Sequence, residues 1–244
     1  MSVKLRVHIS PVGFEFLRIT EPLINMKADK VYLVIYKPDD AAKNYVNKIK
    51  MELSQKYKHI LVEDMYVNLW DLYDSVGKFR EIIFKEDGNQ VYINVSTGTK
   101  ITAIAGMMAC MMWGAIPYYA NVSYKFSRRI EEYETECVED ADFLPVYDMI
   151  KPERNIMVVL ELIEKNGDNM KKARIIDELK KADIIKIKDE SKTSLTKSAE
   201  HSQLRAILDP MENHWKFIRV EARGRVSEVF LTEKGKAALK IFGS

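Results

Sequence analysis

The stretch Val91-Tyr92-Ile93-Asn94-Val95-Ser96-Thr97-Gly98-Thr99-Lys100 decides how the first half of this chain is read. β-branched and aromatic residues make a short strand that ends at Val95, a polar turn follows from Ser96 to Lys100, and an apolar helix starts near Ile101. Strand, polar turn and helix is how α/β proteins build anion sites. The first amides of a helix have no intrahelical partner, and its dipole places partial positive charge there. Ser96, Thr97 and Thr99 add hydroxyls, Gly98 lets a ligand approach the backbone, and Lys100 adds a full charge. The stretch reads as a loop that holds a phosphate or a nucleotide. It is neither a Walker A loop nor a Gly-x-Gly-x-x-Gly fingerprint, and Thr99 also fits the simpler role of a helix N-cap.

Outward from this loop, strands and helices alternate. Leu5–Ser10, Val31–Tyr36, Ile60–Val67, Val91–Val95 and Ile116–Val122 read as strands. Between them lie helices over Phe14–Lys27 (with Pro22 marking a kink or break), Asp39–Lys58 (capped by Asp39 or Asp40), Leu69–Lys85 and Ile101–Trp113. This order predicts a Rossmann-like, mostly parallel sheet. Ligands of such sheets bind beyond the carboxyl ends of the strands, where Ser10–Gly13 and Ser96–Lys100 both lie. The acidic run Arg128–Asp140 reads as a solvated hairpin or edge strand, Phe143–Ile150 as a short strand, and Lys151-Pro152-Glu153 as a boundary. Residues 1–150 then form one domain and 151–244 another.

The second domain changes character. Asn155–Glu164 and Arg174–Lys181 read as helices around an Asn166-Gly167-Asp168-Asn169 break, and Leu195–Leu208 as a third after the polar tether Lys188–Thr193. Trp215–Val220 and Glu228–Leu231 read as strands joined by the Arg- and Gly-rich turn Glu221–Ser227, and Thr232-Glu233-Lys234-Gly235 starts a last helix. Three helices and a two-stranded wing make a winged helix-turn-helix, whose third helix enters the major groove. Lys197, Ser198, His201, Ser202 and Arg205 are then candidate contacts to double-stranded DNA. Ser198, His201, Ser202 and Arg205 share one face, Arg205 and Lys197 suit phosphates or a guanine edge, and His201 and Ser202 suit bases or backbone. In the wing, Arg223 and Arg225 flank Gly224 like a tip that inserts cations beside DNA. A solvated polar face, or a winged helix that only dimerises, is the plainer alternative.

Bulk properties agree with this division. The 244 residues are 47% apolar and 30% charged, as in a soluble globular protein. Lys and Arg against Asp and Glu give 18 − 21 = −3 over residues 1–150 and 20 − 15 = +5 over 151–244, so the basic half carries the DNA-binding pattern. Cys110 and Cys137 have no paired spacing, which argues against a disulfide scaffold or a zinc site. The N-terminus passes straight into the strand pattern Val3–Ile9, read as no signal peptide, and Ile101–Pro117 is too short to span a bilayer. The expected location is cytoplasmic, without a membrane partner. His8 and His59 read as ordinary strand histidines, no spacing indicates a metal, and Ser10-Pro11-Val12-Gly13 has too few glycines for an oxidoreductase's dinucleotide turn.

His8-Ile9-Ser10-Pro11-Val12-Gly13-Phe14-Glu15 and Asn94-Val95-Ser96-Thr97-Gly98-Thr99-Lys100 resemble the two ligand motifs of CRISPR-associated Rossmann-fold (CARF) sensor domains, and with the C-terminal pattern the chain resembles archaeal CARF–winged-helix transcriptional regulators. The resemblance implies a homodimer that binds a cyclic oligoadenylate across its two-fold axis. Ser96, Thr97, Gly98, Thr99 and Lys100 would contact phosphates and riboses, Ser10, Val12, Gly13 and Phe14 would border the adenines, and Asn94 of the second motif would belong to the same ligand site. It implies an effector rather than a cofactor and no metal. A ring nuclease is the enzymatic alternative, with Ser96 and Lys100 as the candidate groups. The other alternative is a constitutive DNA-binding protein whose Rossmann-like half only dimerises.

Overall fold

Alternating strand and helix patterns in the first unit become β1 (Arg6–Pro11), α1 (Leu17–Asn25), β2 (Lys30–Tyr36), α2 (Lys43–Lys56), β3 (Leu61–Val67), α3 (Leu72–Lys85), β4 (Gln90–Asn94), α4 (Lys100–Trp113), β5 (Ile116–Ser127) and β6 (Glu132–Phe143). The computed structural model describes residues 3–37, 42–127, 132–186, 193–223 and 226–243. Contacts divide the chain after Ile150. The sheet order is β3-β2-β1-β4-β5-β6, parallel through β5 and closed by antiparallel β6. Strand order reverses direction between β1 and β4, and that crevice is where such sheets bind ligands. The Rossmann-like expectation is met.

Alternation gives the central strands two different faces. Ile93 and Val95 meet α4 at Gly106, where an added Cβ would stand 3.0 Å from both side chains; the glycine lets helix and sheet close on each other. The opposite face, under α1, is polar. His8 of β1 is fully buried, stacked on Tyr92 of β4 with ring centroids 4.9 Å apart, and its Nδ1 lies 3.3 Å from the Tyr118 hydroxyl of β5. Burial, reinforced by the charge of Arg6, lowers the His8 pKa to about 3. Cys110 is a core residue whose thiol burial pushes up to about 12.

Several boundaries differ from the sequence reading. Helix α1 starts at Leu17 and runs through Pro22 without breaking. Asp39 and Asp40 lie outside the described residues; Ala42 stands at the N-cap of α2 without a side-chain bond. His59 lies beside β3, as read from the sequence, and is exposed. The hairpin expected in the acidic run is present as β5–β6. Phe143–Ile150 is not a strand: Phe143 ends β6 opposite Tyr118, and residues 144–150 have no strand pairing. The neighbouring Pro117 has no N–H to donate and Pro145 follows at once, so only Leu144 N–H to Pro117 O (3.0 Å) continues the ladder.

The second unit comprises α5 (Arg154–Lys165), β7 (Asn169–Lys171), α6 (Lys172–Lys181), α7 (Thr193–Asn213), β8 (Ile218–Arg223), β9 (Val226–Leu231) and α8 (Glu233–Phe242). Its sheet order is β7-β9-β8, all antiparallel. This is a winged helix, packed on Leu160, Ile163, Ile175, Leu179, Leu204 and Val229. The break after α5 contains a short strand, because Met170 is apolar and packs into the core opposite Val229. Helix α7 outruns Leu208: Leu204, Leu208 and Met211 continue one buried stripe past it. The wing strands are longer than expected. Pairing continues to Arg223 and Val226, inside the expected turn Glu221–Ser227, and Trp215 precedes the strand, stacked on Phe217 at 5.3 Å.

The buried histidine makes a pH prediction. Its folded pKa lies below the unfolded value, so its neutral form supports the fold fully above about pH 6.5, and stability falls as the unfolded chain takes up a proton below that. Denaturant unfolding of the wild type should lose about 1.4 kcal/mol per pH unit from this site between pH 6 and 4. His8→Leu should remove that component of the slope whatever its absolute stability. An unchanged slope would contradict the assignment.

Candidate functional site

Pro22 supplies the first link in the candidate site. It has no N–H, so the carbonyl of Arg18, four residues earlier, loses its helical donor. Asn94, fully buried at the end of β4, donates from Nδ2 to that oxygen at 2.9 Å. Its Oδ1 accepts from Ser96 N at 3.0 Å and Ser96 Oγ at 2.6 Å. Arg18 closes the circuit by donating from Nη1 to Ser96 O at 3.0 Å; its Nε pairs with Glu15 at 2.8 Å, and its guanidinium lies 5.5 Å from the Tyr119 ring centre. The loops after β1 and β4 are thereby fixed to each other.

Glycines bring these loops into contact. Gly98 sits at φ +80°, and a Cβ there would stand 2.6 Å from both Pro11 Cβ and Thr102 Oγ1. A Cβ on Gly13 would stand 3.1 Å from Gly98 N. Thr99 is the N-cap of α4, accepting from Thr102 N at 3.1 Å, while its own N–H donates to Thr102 Oγ1 at 2.9 Å in a capping box. The Thr99 hydroxyl also donates to Leu69 O at 2.8 Å, which ties the β3–α3 connection to the loop. One residue on, the Trp70 ring is 66% exposed.

The expected ligand residues therefore separate into two layers. Ser10, Val12, Asn94 and Thr97 are buried and form the floor; the Thr97 hydroxyl has no partner among the described residues. Gly13, Ser96 and Thr99 are half-buried, and Phe14, Gly98 and Lys100 are exposed, with Phe14 edge-on to Tyr45 at 5.6 Å. Lys100 is the first residue of α4, beside the free amides of that helix. This arrangement presents backbone donors and one cation to an anion, and two exposed aromatic residues, Phe14 and Trp70, directly follow Gly13 and Leu69, which touch this loop. Sequence reasoning missed Arg18 and Trp70. Arg18 on an apolar helix four residues before a proline was a usable signal; the approach of Leu69 to Thr99 had none.

In the second unit, Lys197, Ser198, His201, Ser202 and Arg205 are all exposed along α7. Arg223 closes β8, and Arg225 lies outside the described residues. No group of His, Cys, Asp or Glu among the described residues is arranged to hold a metal, and no helix there is long and apolar enough to cross a membrane.

The loop geometry leaves no room for a side chain at Gly98. Gly98→Ala should lower the thermal midpoint by several degrees, because positive φ and the clash with Pro11 cost about 1–3 kcal/mol. A midpoint within one degree of wild type would show that the two loops are not interlocked.

Residues 6–125 match the family described as HFX_2341_N:-like, N-terminal, and residues 155–243 match the DUF6293 C-terminal winged helix domain. An uncharacterised protein of Methanocaldococcus jannaschii, MJ1513, is 28% identical over 229 residues, covering 81% of this chain and 68% of that protein. Can2 of Sulfobacillus thermosulfidooxidans, solved with cyclic tetra-adenylate, aligns at 13% identity and TM-score 0.42, covering 98% of this chain and 64% of Can2. Csm6 of Enterococcus italicus, solved with cyclic hexa-2′-fluoro-hexa-dAMP, aligns at 10% identity and TM-score 0.42, covering 87% and 56%. The chain thus spans less than two thirds of either solved structure. The two matched regions, one like the HFX_2341_N-like N-terminal family and one like the DUF6293 C-terminal winged helix domain, fall one in each of the two units of the structure.

Proposed function

We propose that this protein is a homodimeric DNA-binding transcriptional regulator whose first unit senses a cyclic oligoadenylate and whose winged helix binds double-stranded DNA. The observation that carries the reading is the interlocked pair of loops at the β1/β4 switch point, with Gly98 and Lys100 exposed at the start of α4. A phosphate is the anion that backbone amides and one lysine hold best, and the Phe14 and Trp70 rings offer stacking faces for bases. The resemblance of both loops to CARF ligand motifs selects cyclic oligoadenylate among nucleotides.

Dimerisation is supported by α4 itself. Ile101, Ile104, Met108 and Met111 follow one another at helical spacing and stay partly or largely exposed, Ile104 at 51%. Residues 144–150 add Val146, Tyr147 and Ile150 to the exposed apolar surface, and Met149 N–H bonds to Met111 O at 3.4 Å. Uncovered apolar surface of this kind marks an interface. An isologous contact along α4 would place two copies of the loop about one axis, matching the symmetry of a cyclic ligand. Ligand then favours one dimer arrangement over another, and residues 150–154 pass that preference to the DNA-binding units as a population shift.

Lys100→Ala tests the sensor. DNA affinity without ligand should equal that of the wild type, while the concentration of cyclic tetra-adenylate needed to change it should rise tenfold or more, as expected for loss of a hydrogen bond to a charged group. A variant that responds at wild-type concentrations would place the ligand elsewhere.

A further inference from the structure

A cavity of about 320 Å³ opens between the start of α6 and the exposed face of α7. Lys172, His201 and Arg205 line it with Ser198 and Ser202, and Leu208 contributes to its floor. The neighbouring lysines on these helices are paired: Lys180 with Glu200 at 2.8 Å, Lys181 with Glu178 at 2.8 Å. Among the described residues, neither Lys172 nor Arg205 has a carboxylate within ion-pair distance. Two uncompensated cations, an imidazole and two hydroxyls around a recess form a donor-rich set without a carboxylate. Every polar side chain named there can donate a hydrogen bond, and none is an acid.

We propose that this cavity seats a phosphate group of the DNA backbone, with the attached deoxyribose against the apolar floor. Lys172 and Arg205 hold its charge from two helices, and Ser198, Ser202 and His201 bond the remaining oxygens. The inference rests on the reading of the second unit as a DNA-binding domain and assigns its side chains within it. His201, Ser202 and Arg205 face a recess rather than a projecting ridge, so they position the backbone and do not read bases. Lys172, which the sequence pattern leaves unmarked, becomes a DNA contact. The same chemistry could instead receive a free phosphate, and the experiment separates the two sources.

Full-length protein is titrated with random-sequence duplex at a series of salt concentrations by fluorescence anisotropy, and separately with inorganic phosphate while the His201 ring protons are followed by NMR. Lys172→Ala and Lys172→Gln should each weaken binding to all duplexes equally and reduce the slope of log K against log salt by about 0.9, the loss of one phosphate contact; Lys172→Arg should restore it. Melting curves of the variants confirm that they fold. Unchanged affinity and slope, or a loss confined to particular sequences, would overturn the proposal. If the wild type binds no duplex, the DNA reading fails on its own. In that case a saturable His201 shift with phosphate, absent in Lys172→Gln, supports a free-anion site, and no shift ends the phosphate assignment altogether.

Discussion

One hydrogen bond holds the candidate sensor site together: Asn94 Nδ2 to the carbonyl that Pro22 leaves open on Arg18. Without the proline, that oxygen would be satisfied inside α1 and Asn94 would be a buried amide without an acceptor, at a cost of about 1–3 kcal/mol. With it, one side chain satisfies α1, terminates β4 and orients Ser96, while Arg18 answers from the helix to the Ser96 carbonyl. Buried polar groups of this kind are costly unless all are paired, which is why the network tolerates few arrangements. The exposed ligand surface of Gly98 and Lys100 inherits its rigidity from this layer beneath it.

The two proposed anion sites differ in construction. The first relies on helix amides, close backbone approach and a single lysine, a design that recognises the shape of a compact phosphate-bearing ligand. The second gathers unpaired side-chain cations, which suits a long polyanion whose binding depends on charge and salt. The net charges of −3 and +5 in the two halves run in the same direction as the two proposed sites, the excess of cations lying in the winged-helix half.

The alternation of apolar strands with amphipathic helices made the Rossmann-like fold readable, because each strand buried on both faces is a continuous apolar run. The loop Ser96–Lys100 was readable for the same local reason: its strand, turn and cap are contiguous. Non-local contacts were not. Arg18 and Leu69 join the site through partners 78 and 30 residues away. Ser10 and Asn94 read as ligand contacts in a linear motif, yet the pleat turns both into the buried face with His8 and Tyr92. Residues 144–150 have strand-forming composition, but Pro117 and Pro145 deny them a ladder. In the wing, a sequence rich in arginine, glycine and glutamate hid strands that cross-strand pairing extends to Arg223 and Val226.

The central claim is that two copies of the loop pair enclose one cyclic ligand. Calorimetric titration of the full-length protein with cyclic tetra-adenylate, followed by chromatography of the recovered ligand, tests it most directly. The account predicts saturation at one ring per two chains with the ring recovered intact. Binding followed by cleavage would make the protein a ring nuclease, and no binding would contradict the sensor assignment.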